Sequence, residues 1–249
     1  MPILLDIGNT AVKYAFADKS GIKRAGLSLY NDIPKIINNC SKCGGCYSDY
    51  LYISSVVPKN TLFIKKNIPR SLREKTLEIG KEITIEITHK YRQINKLGKD
   101  RLVNIYGALR LYRPPIMLLD FGTALKVEYL SPRGVFEGGM IIPGPEIAFQ
   151  ALRERGALLP KKMRLPEKSV SFLGTTTYDC MNSGILEGYG AMADGLIARF
   201  KEKYGKNITV LVTGGFAKHL KPYTSSFGIL DPLHSLKSLF LIYKKSLKN

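Results

Sequence analysis

Leu4–Lys13 reads LLDIGNTAVK and Leu118–Lys126 reads LLDFGTALK. Each is a short apolar strand that ends on a carboxylate (Asp6, Asp120), turns through glycine and threonine, and enters a second strand carrying a lysine (Lys13, Lys126). They differ by one inserted residue, Asn9, and by conservative apolar exchanges. Such a turn gathers backbone N–H groups, a hydroxyl and an ammonium at one place, the chemistry nucleotide phosphates require. One copy alone reads equally well as an ordinary Asp-x-Gly hairpin. Two copies about half a chain apart point to two homologous domains, each offering a phosphate loop to a shared cleft.

Working outward, Ile3–Ile7, Ala11–Ala17 and Lys23–Leu29 read as three strands, with Asp18–Gly21 as a hairpin turn. A helix over Asn31–Asn39, a strand over Tyr50–Val57 stopped by Pro58, and a helix over Asn60–Asn67 follow. The Ile83-Ile85-Ile87 alternation predicts another strand. Leu102, Ile105, Leu109 and Tyr112 share one face of a helix over Gly98–Tyr112. Pro114-Pro115 punctuates the chain, so we divide it into residues 1–114 and 115–249. The second half repeats the order: strands Ile116–Asp120, Leu125–Leu130 and Val135–Ile142, a helix Glu146–Arg155, and a long helix from Thr176 to Tyr204. A strand Ile208–Val212 and a helix near Leu233–Lys245 close it. This is an α/β chain built as a duplicated ribonuclease-H-like fold, the plan of the actin-like ATPases and of the sugar and acetate kinases.

Bulk properties bound the function. With 45% hydrophobic residues over 249, the chain can bury one large or two modest cores. Asp6 interrupts the apolar start too early for a signal peptide, and no apolar run approaches the ~18 residues of a membrane span. Of four cysteines, Cys40, Cys43 and Cys46 crowd together, unlike an extracellular disulfide framework. These features place the protein in the cytoplasm, with no membrane partner. The net charge of +18 raises nucleic-acid binding as a rival function. The basic residues are, however, spread over Lys65–Lys75, Lys161–Arg164 and Lys244–Lys248, without an Arg/aromatic stripe or recognition helix. A solvated basic surface that gathers anionic substrates is the simpler reading.

Five motifs in one order make the resemblance specific. They are DIGNT with Lys13, Ser54-Ser55-Val56-Val57-Pro58, Gly98-Lys99-Asp100-Arg101, Asp120-Phe121-Gly122-Thr123-Ala124, and Gly138-Gly139-Met140-Ile141-Ile142-Pro143-Gly144. Together with Gly174-Thr175-Thr176-Thr177 and Ser183-Gly184, they resemble type III pantothenate kinase, the bacterial enzyme that opens coenzyme A synthesis, over nearly the whole chain. The resemblance implies ATP-dependent phosphorylation of pantothenate to 4′-phosphopantothenate, with Mg²⁺ and a monovalent cation (K⁺ or NH₄⁺), by a homodimer.

It also implies roles. Asp6, Ile7, Gly8, Asn9, Thr10, Ala11, Val12 and Lys13 cradle ATP phosphates, and Asp6 is a candidate to hold Mg²⁺ through water. Thr123 is an ATP contact, and Asp120 is the metal ligand for the monovalent cation, which suits hard oxygen donors. Gly98, Lys99, Asp100, Arg101, Tyr91 and Thr177 form the substrate set, Thr177 reaching the partner subunit's site in some family members. Asp100 is the general base, opening a helix after a glycine that lets substrate approach; read alone, it is as good an N-cap. The Arg101 fork suits a substrate carboxylate. Tyr91 taken alone would pass as a packed aromatic.

Some features fall outside the pattern. Ser238 stands in Leu236-Lys237-Ser238-Leu239 where the family carries glycine, and the Asn-Pro pair usual between Tyr91 and Gly98 is absent. His89, His219 and His234 are scattered and read as structural. Cys40, Cys43 and Cys46, joined by Cys180 or His89, could complete a tetrahedral zinc site, or stand as reduced thiols on a loop. Two other functions compete: a non-catalytic regulatory or nucleic-acid-associated relative, and a small actin-like kinase for a sugar or another alcohol. Retention of every expected catalytic residue opposes the first; Tyr91 and Gly98–Arg101 oppose the second.

Overall fold

Ile3–Ile7 (β1), Val12–Asp18 (β2) and Gly21–Ser28 (β3) form an antiparallel meander, and Leu51–Ser55 (β4) and Thr76–Glu78 (β5) extend it in parallel, in the order β3-β2-β1-β4-β5. The run Ile3-Leu4-Leu5 is buried throughout because β1 is a central strand covered on both faces. In this computed structural model, residues 1–42, 50–156, 159–160 and 171–247 are described.

Helices α1 (Ile33–Lys42), α2 (Pro58–Lys66) and α3 (Arg70–Arg73) cover one face of this sheet, their Ile33, Ile37, Ile64 and Leu72 packing on Ile3, Leu5 and Ile53. Helix α2 starts two residues before the expected Asn60, because Pro58 supplies a preset φ where no intrahelical N–H is needed. The other face carries α4 (Lys99–Leu111). Residues Arg101–Ala108 of α4 are all buried, more than a one-sided amphipathic helix would be, and Tyr112 lies beyond its end.

The strand expected at Ile83–Ile87 does not form. Glycine 80, at φ +84°, turns the chain out of β5, and Ile83 makes only an isolated bridge to Ile79. Ile85 alone of the three isoleucines is buried. The alternation therefore reflects one buried anchor in an extended connection.

A second sheet is built from Ile116–Phe121 (β6), Ala124–Leu130 (β7), Phe136–Pro143 (β8), Thr209–Thr213 (β9) and the two-residue Ile229–Leu230 (β10), in the order β10-β9-β6-β7-β8. Read from its other edge, this is the first sheet's order with β6 standing for β1. Two sheets of matching order and direction make the duplicated ribonuclease-H-like plan. Helices α5 (Pro145–Arg155), α6 (Thr177–Tyr204) and the short α7 (Ala217–Leu220) belong to this half. Thr176 caps α6, its Oγ1 accepting from the Asp179 N–H at 3.2 Å.

Along α6, Ile185, Leu186, Tyr189 and Ile197 pack into one core with Met117, Leu119, Phe121 and Val212. Exposed apolar surface in this half lies on Ile141 (65%), Phe172 and Leu173 (74%), with Met140 and Leu152.

By contact density the chain forms two units: Met1–Ile87 with Arg92–Leu111 and Leu233–Asn249, and Thr88–Tyr91 with Tyr112–Pro232. The closing helix α8 (His234–Ser246) thus groups with the first unit, where a cut at residue 114 would put it with the second. The cause is packing: Tyr243 of α8 meets Tyr52 edge-on at 5.5 Å, and Ser246 hydrogen-bonds the Tyr52 hydroxyl at 2.6 Å. Helices α4 and α8 approach so closely that a Cβ on Gly107 would lie 2.5 Å from Ser238 Cβ. Ser238 is thus accommodated by a glycine on the facing helix.

Among the described residues no helix is long and apolar enough to cross a membrane, and no group of three metal-binding side chains occurs. Cys40 falls within α1, Cys43 and Cys46 lie outside the described residues, and Cys180 is exposed.

Candidate active site

The two loops close alike. The Gly8 N–H donates to the Ala11 carbonyl at 3.1 Å, and the Gly122 N–H to the Ala124 carbonyl at 3.2 Å. Ladder registers follow suit: Asp6 stands opposite Lys13, and Asp120 opposite Lys126. The inserted Asn9 is absorbed at the tip, where Asn9 and Thr10 are exposed. Aspartate and lysine on facing strands thus flank each glycine turn.

The lysines are used differently. Lys126 Nζ sits 2.8 Å from Asp120 Oδ2, both side chains largely buried. Lys13 has no carboxylate partner among the described residues, so its ammonium is available to an incoming anion.

A second pair of residues, unassigned by sequence reasoning, completes the parallel. Ser54 is paired with Asp6 across β1 and β4, and Thr213 with Asp120 across β6 and β9. Paired residues of parallel strands project to the same face, so each hydroxyl stands beside its aspartate. Ser54 (0% exposed) and Thr213 (1%) both bury a hydroxyl oxygen with no hydrogen-bond partner. A buried hydroxyl without a partner carries a desolvation cost, which a bound ligand or ion can relieve. Only the sheet register reveals the pair; the sequence signal would have been a hydroxyl residue at the end of each strand parallel to an aspartate strand.

The second loop is also walled by glycines. The Gly144 N–H donates to the Thr123 carbonyl at 3.1 Å, and a Cβ on Gly144 would lie 2.4 Å from that oxygen. Gly214, at φ +100°, passes the backbone of Phe121 so closely that a Cβ would come within 2.4 Å. Thr123 and Asp120 therefore lie between two close-packed backbone segments. The donors available for a cation here are Asp120 and the Thr213 hydroxyl, hard oxygens that fit an alkali or ammonium ion.

Among the substrate candidates, Asp100 lies in the first turn of α4, its Oδ1 folded back to 2.7 Å from where a Gly98 Cβ would stand. The glycine therefore makes room for the carboxylate. Arg101 is 7% exposed, the first of the buried run along α4. The Lys99 side chain runs across Gly80. Tyr91 stacks on Phe136 at 5.6 Å, and its segment pairs with the start of β8, so Tyr91 belongs to the second unit. Thr177 lies exposed at the start of α6 in that same unit. The structure thus groups Gly98, Lys99, Asp100 and Arg101 with the Asp6–Lys13 loop, and Tyr91, Thr123 and Thr177 with Asp120.

The family model for type III pantothenate kinase matches residues 2–199. The type III pantothenate kinase of Syntrophus aciditrophicus is 31% identical over 99% of this chain and 100% of its own. Among solved structures, a conserved putative Baf family transcriptional activator from Campylobacter jejuni superposes with TM-score 0.64 at 15% identity, covering 99% of this chain and 100% of that one. A putative 2-dehydro-3-deoxygalactonokinase from Sinorhizobium meliloti does so with TM-score 0.60 at 11% identity, covering 99% of each chain. These two share the fold; the full-length sequence match and the family model carry more, and by them the chain belongs to the type III pantothenate kinase family.

Proposed function

We propose that this protein transfers the γ-phosphoryl group of ATP to the primary hydroxyl of pantothenate, forming 4′-phosphopantothenate at the start of coenzyme A biosynthesis. The observation that carries this reading is the duplicated aspartate–glycine–lysine turn, with matching registers, in a chain whose family match spans residues 2–199.

Phosphoryl transfer passes through a loose transition state, so catalysis is mainly positioning and charge stabilisation. The uncommitted Lys13 ammonium and the N–H groups of the Asp6–Lys13 loop bind the ATP phosphates. Asp6 would hold Mg²⁺, which would neutralise phosphate charge, and Thr123 contacts the nucleotide. Asp120 and the Thr213 hydroxyl would hold the monovalent cation, which would supply positive charge to offset that of the phosphates. Asp100 takes the proton of the pantothenate hydroxyl as it attacks phosphorus. Arg101 pairs with the pantothenate carboxylate, while Tyr91, Gly98, Thr177 and the backbone of Lys99 line its chain.

The working form is a cytoplasmic homodimer. Exposed Ile141 on the edge strand β8, and exposed Phe172 and Leu173 close in sequence to Thr177, offer apolar side chains to the second copy. The function is tested by ADP release from purified protein. Added pantothenate should raise it many-fold, and release that ignores pantothenate would overturn the reading.

A further inference from the structure

The first unit holds a second site. A cavity of about 440 Å³ opens between α2 and the end of β5. Ile53 and Ser55 line it, and these alternate along β4 with Ser54. Since Ser54 shares its face with Asp6, the cavity lies on the opposite face of the sheet from the ATP-loop carboxylate.

Its chemistry is lopsided. Lys65, Lys66, Arg73, Lys81 and Lys99 surround it, against the single carboxylate of Glu78. Glu78 is already shared by Lys65 at 2.6 Å and Lys81 at 2.5 Å. Among the described residues no carboxylate pairs with Lys66 or Lys99. Arg73 is held in place by the carbonyls of Lys66 and Ile68. Ile53, Leu62 and Ile79 make the remaining wall apolar. The volume is that of a small-molecule site.

Gly80 joins this cavity to α4. At φ +84° it adopts a backbone only glycine takes readily, and a Cβ there would stand 2.4 Å from Lys99 Cε. The missing side chain is the gap through which Lys99 reaches the cavity, one residue before Asp100.

We propose that this cavity binds a phosphate monoester with an apolar body, and that Lys99 is the cation tying its occupancy to the start of α4. An excess of cations over one neutralised carboxylate calls for a dianion, and the isoleucine–leucine wall for an apolar group attached to it.

Calorimetric titration of the full chain with 1-naphthyl phosphate, and with inorganic phosphate as the charge-only control, tests this without requiring turnover. It therefore stands or falls separately from pantothenate kinase activity. Two variants outside the proposed ATP and pantothenate contacts probe the cavity: Lys66→Glu reverses an exposed charge, and Leu62→Trp fills space. We expect saturable binding of naphthyl phosphate at least ~10-fold tighter than of inorganic phosphate, because only the former covers the apolar wall. Lys66→Glu should weaken it on the order of 10-fold by reversing one nearby charge, and Leu62→Trp should weaken it with charge unchanged. Equal affinity for the two phosphates, or equal affinity in wild type and both variants, overturns the proposal.

Discussion

Replacing Gly107 by alanine adds one methyl where α4 meets α8, and the structure sets its cost. The new Cβ would sit 2.5 Å from Ser238 Cβ and 3.1 Å from Ser238 Cα. Turning the Ser238 hydroxyl away cannot relieve this, because two of the atoms in the way are fixed to the backbone, and the hydroxyl is already bonded to the His234 carbonyl at 2.7 Å. The helices must part. Overpacking of this kind costs about 1–3 kcal/mol, offset by about 1 kcal/mol from alanine's better helix propensity. We therefore expect a net loss of up to about 2 kcal/mol, which for a chain this size lowers Tm by up to roughly 8 °C. Ser238→Gly removes the obstructing Cβ and hydroxyl, so Gly107→Ala should cost much less in that background. Denaturant unfolding of the four proteins measures the coupling, which should be about 1 kcal/mol or more for side chains in direct contact. If the two changes simply add, within about 0.5 kcal/mol, the close approach of α4 and α8 is not what Gly107 provides.

Three further expectations follow the same logic. Thr213→Val keeps the shape and removes a buried hydroxyl that lacks a partner, so it should stabilise the protein, by about 1 kcal/mol or more, while raising the K⁺ concentration needed for half-maximal activity and for thermal stabilisation by K⁺. Lower stability with unchanged K⁺ dependence would make the hydroxyl merely structural. Burial would push the Glu78 carboxyl up, but Lys65 and Lys81 outweigh it and hold it below the usual carboxylate range. That stability is present above the unfolded-state value near 4.5 and is lost as pH falls through the lower folded value. Unfolding midpoints should therefore drop more steeply between about pH 5 and pH 3 in wild type than in Glu78→Gln, and equal slopes would refute it. Sedimentation at micromolar concentration should show a dimer that Ile141→Glu dissociates; a monomeric wild type would contradict the assembly.

The repeated turn was legible because its signal is local: a strand, a carboxylate, a glycine and a lysine within ten residues. The meanders and the start of α6 near Thr176 were legible for the same reason. What escaped depends on contacts distant in sequence. The edge strands Thr76–Glu78 and Ile229–Leu230 are too short to carry a period of their own. The Ile83–Ile87 alternation mimicked a strand, yet no neighbour pairs with it beyond one bridge. An amphipathic closing helix does not say which sheet it will cover, so the affiliation of α8 came only with the Tyr52–Tyr243 contact. The apolar residues of α6 were visible, but whether they serve a core or a partner was not. Ser54 and Thr213 became candidates only when strand register set each beside its aspartate.

The central claim, that Asp100 accepts the pantothenate proton, is met most directly by comparing kcat for Asp100→Asn with wild type at saturating ATP and pantothenate. Asparagine preserves the shape at the start of α4 and removes the proton acceptor. The account predicts a fall on the order of 10²–10⁴-fold in kcat with KM for ATP nearly unchanged. Arg101→Ala should instead act chiefly on KM for pantothenate. A kcat for Asp100→Asn close to wild type would contradict the account and leave Asp100 a helix-start residue only.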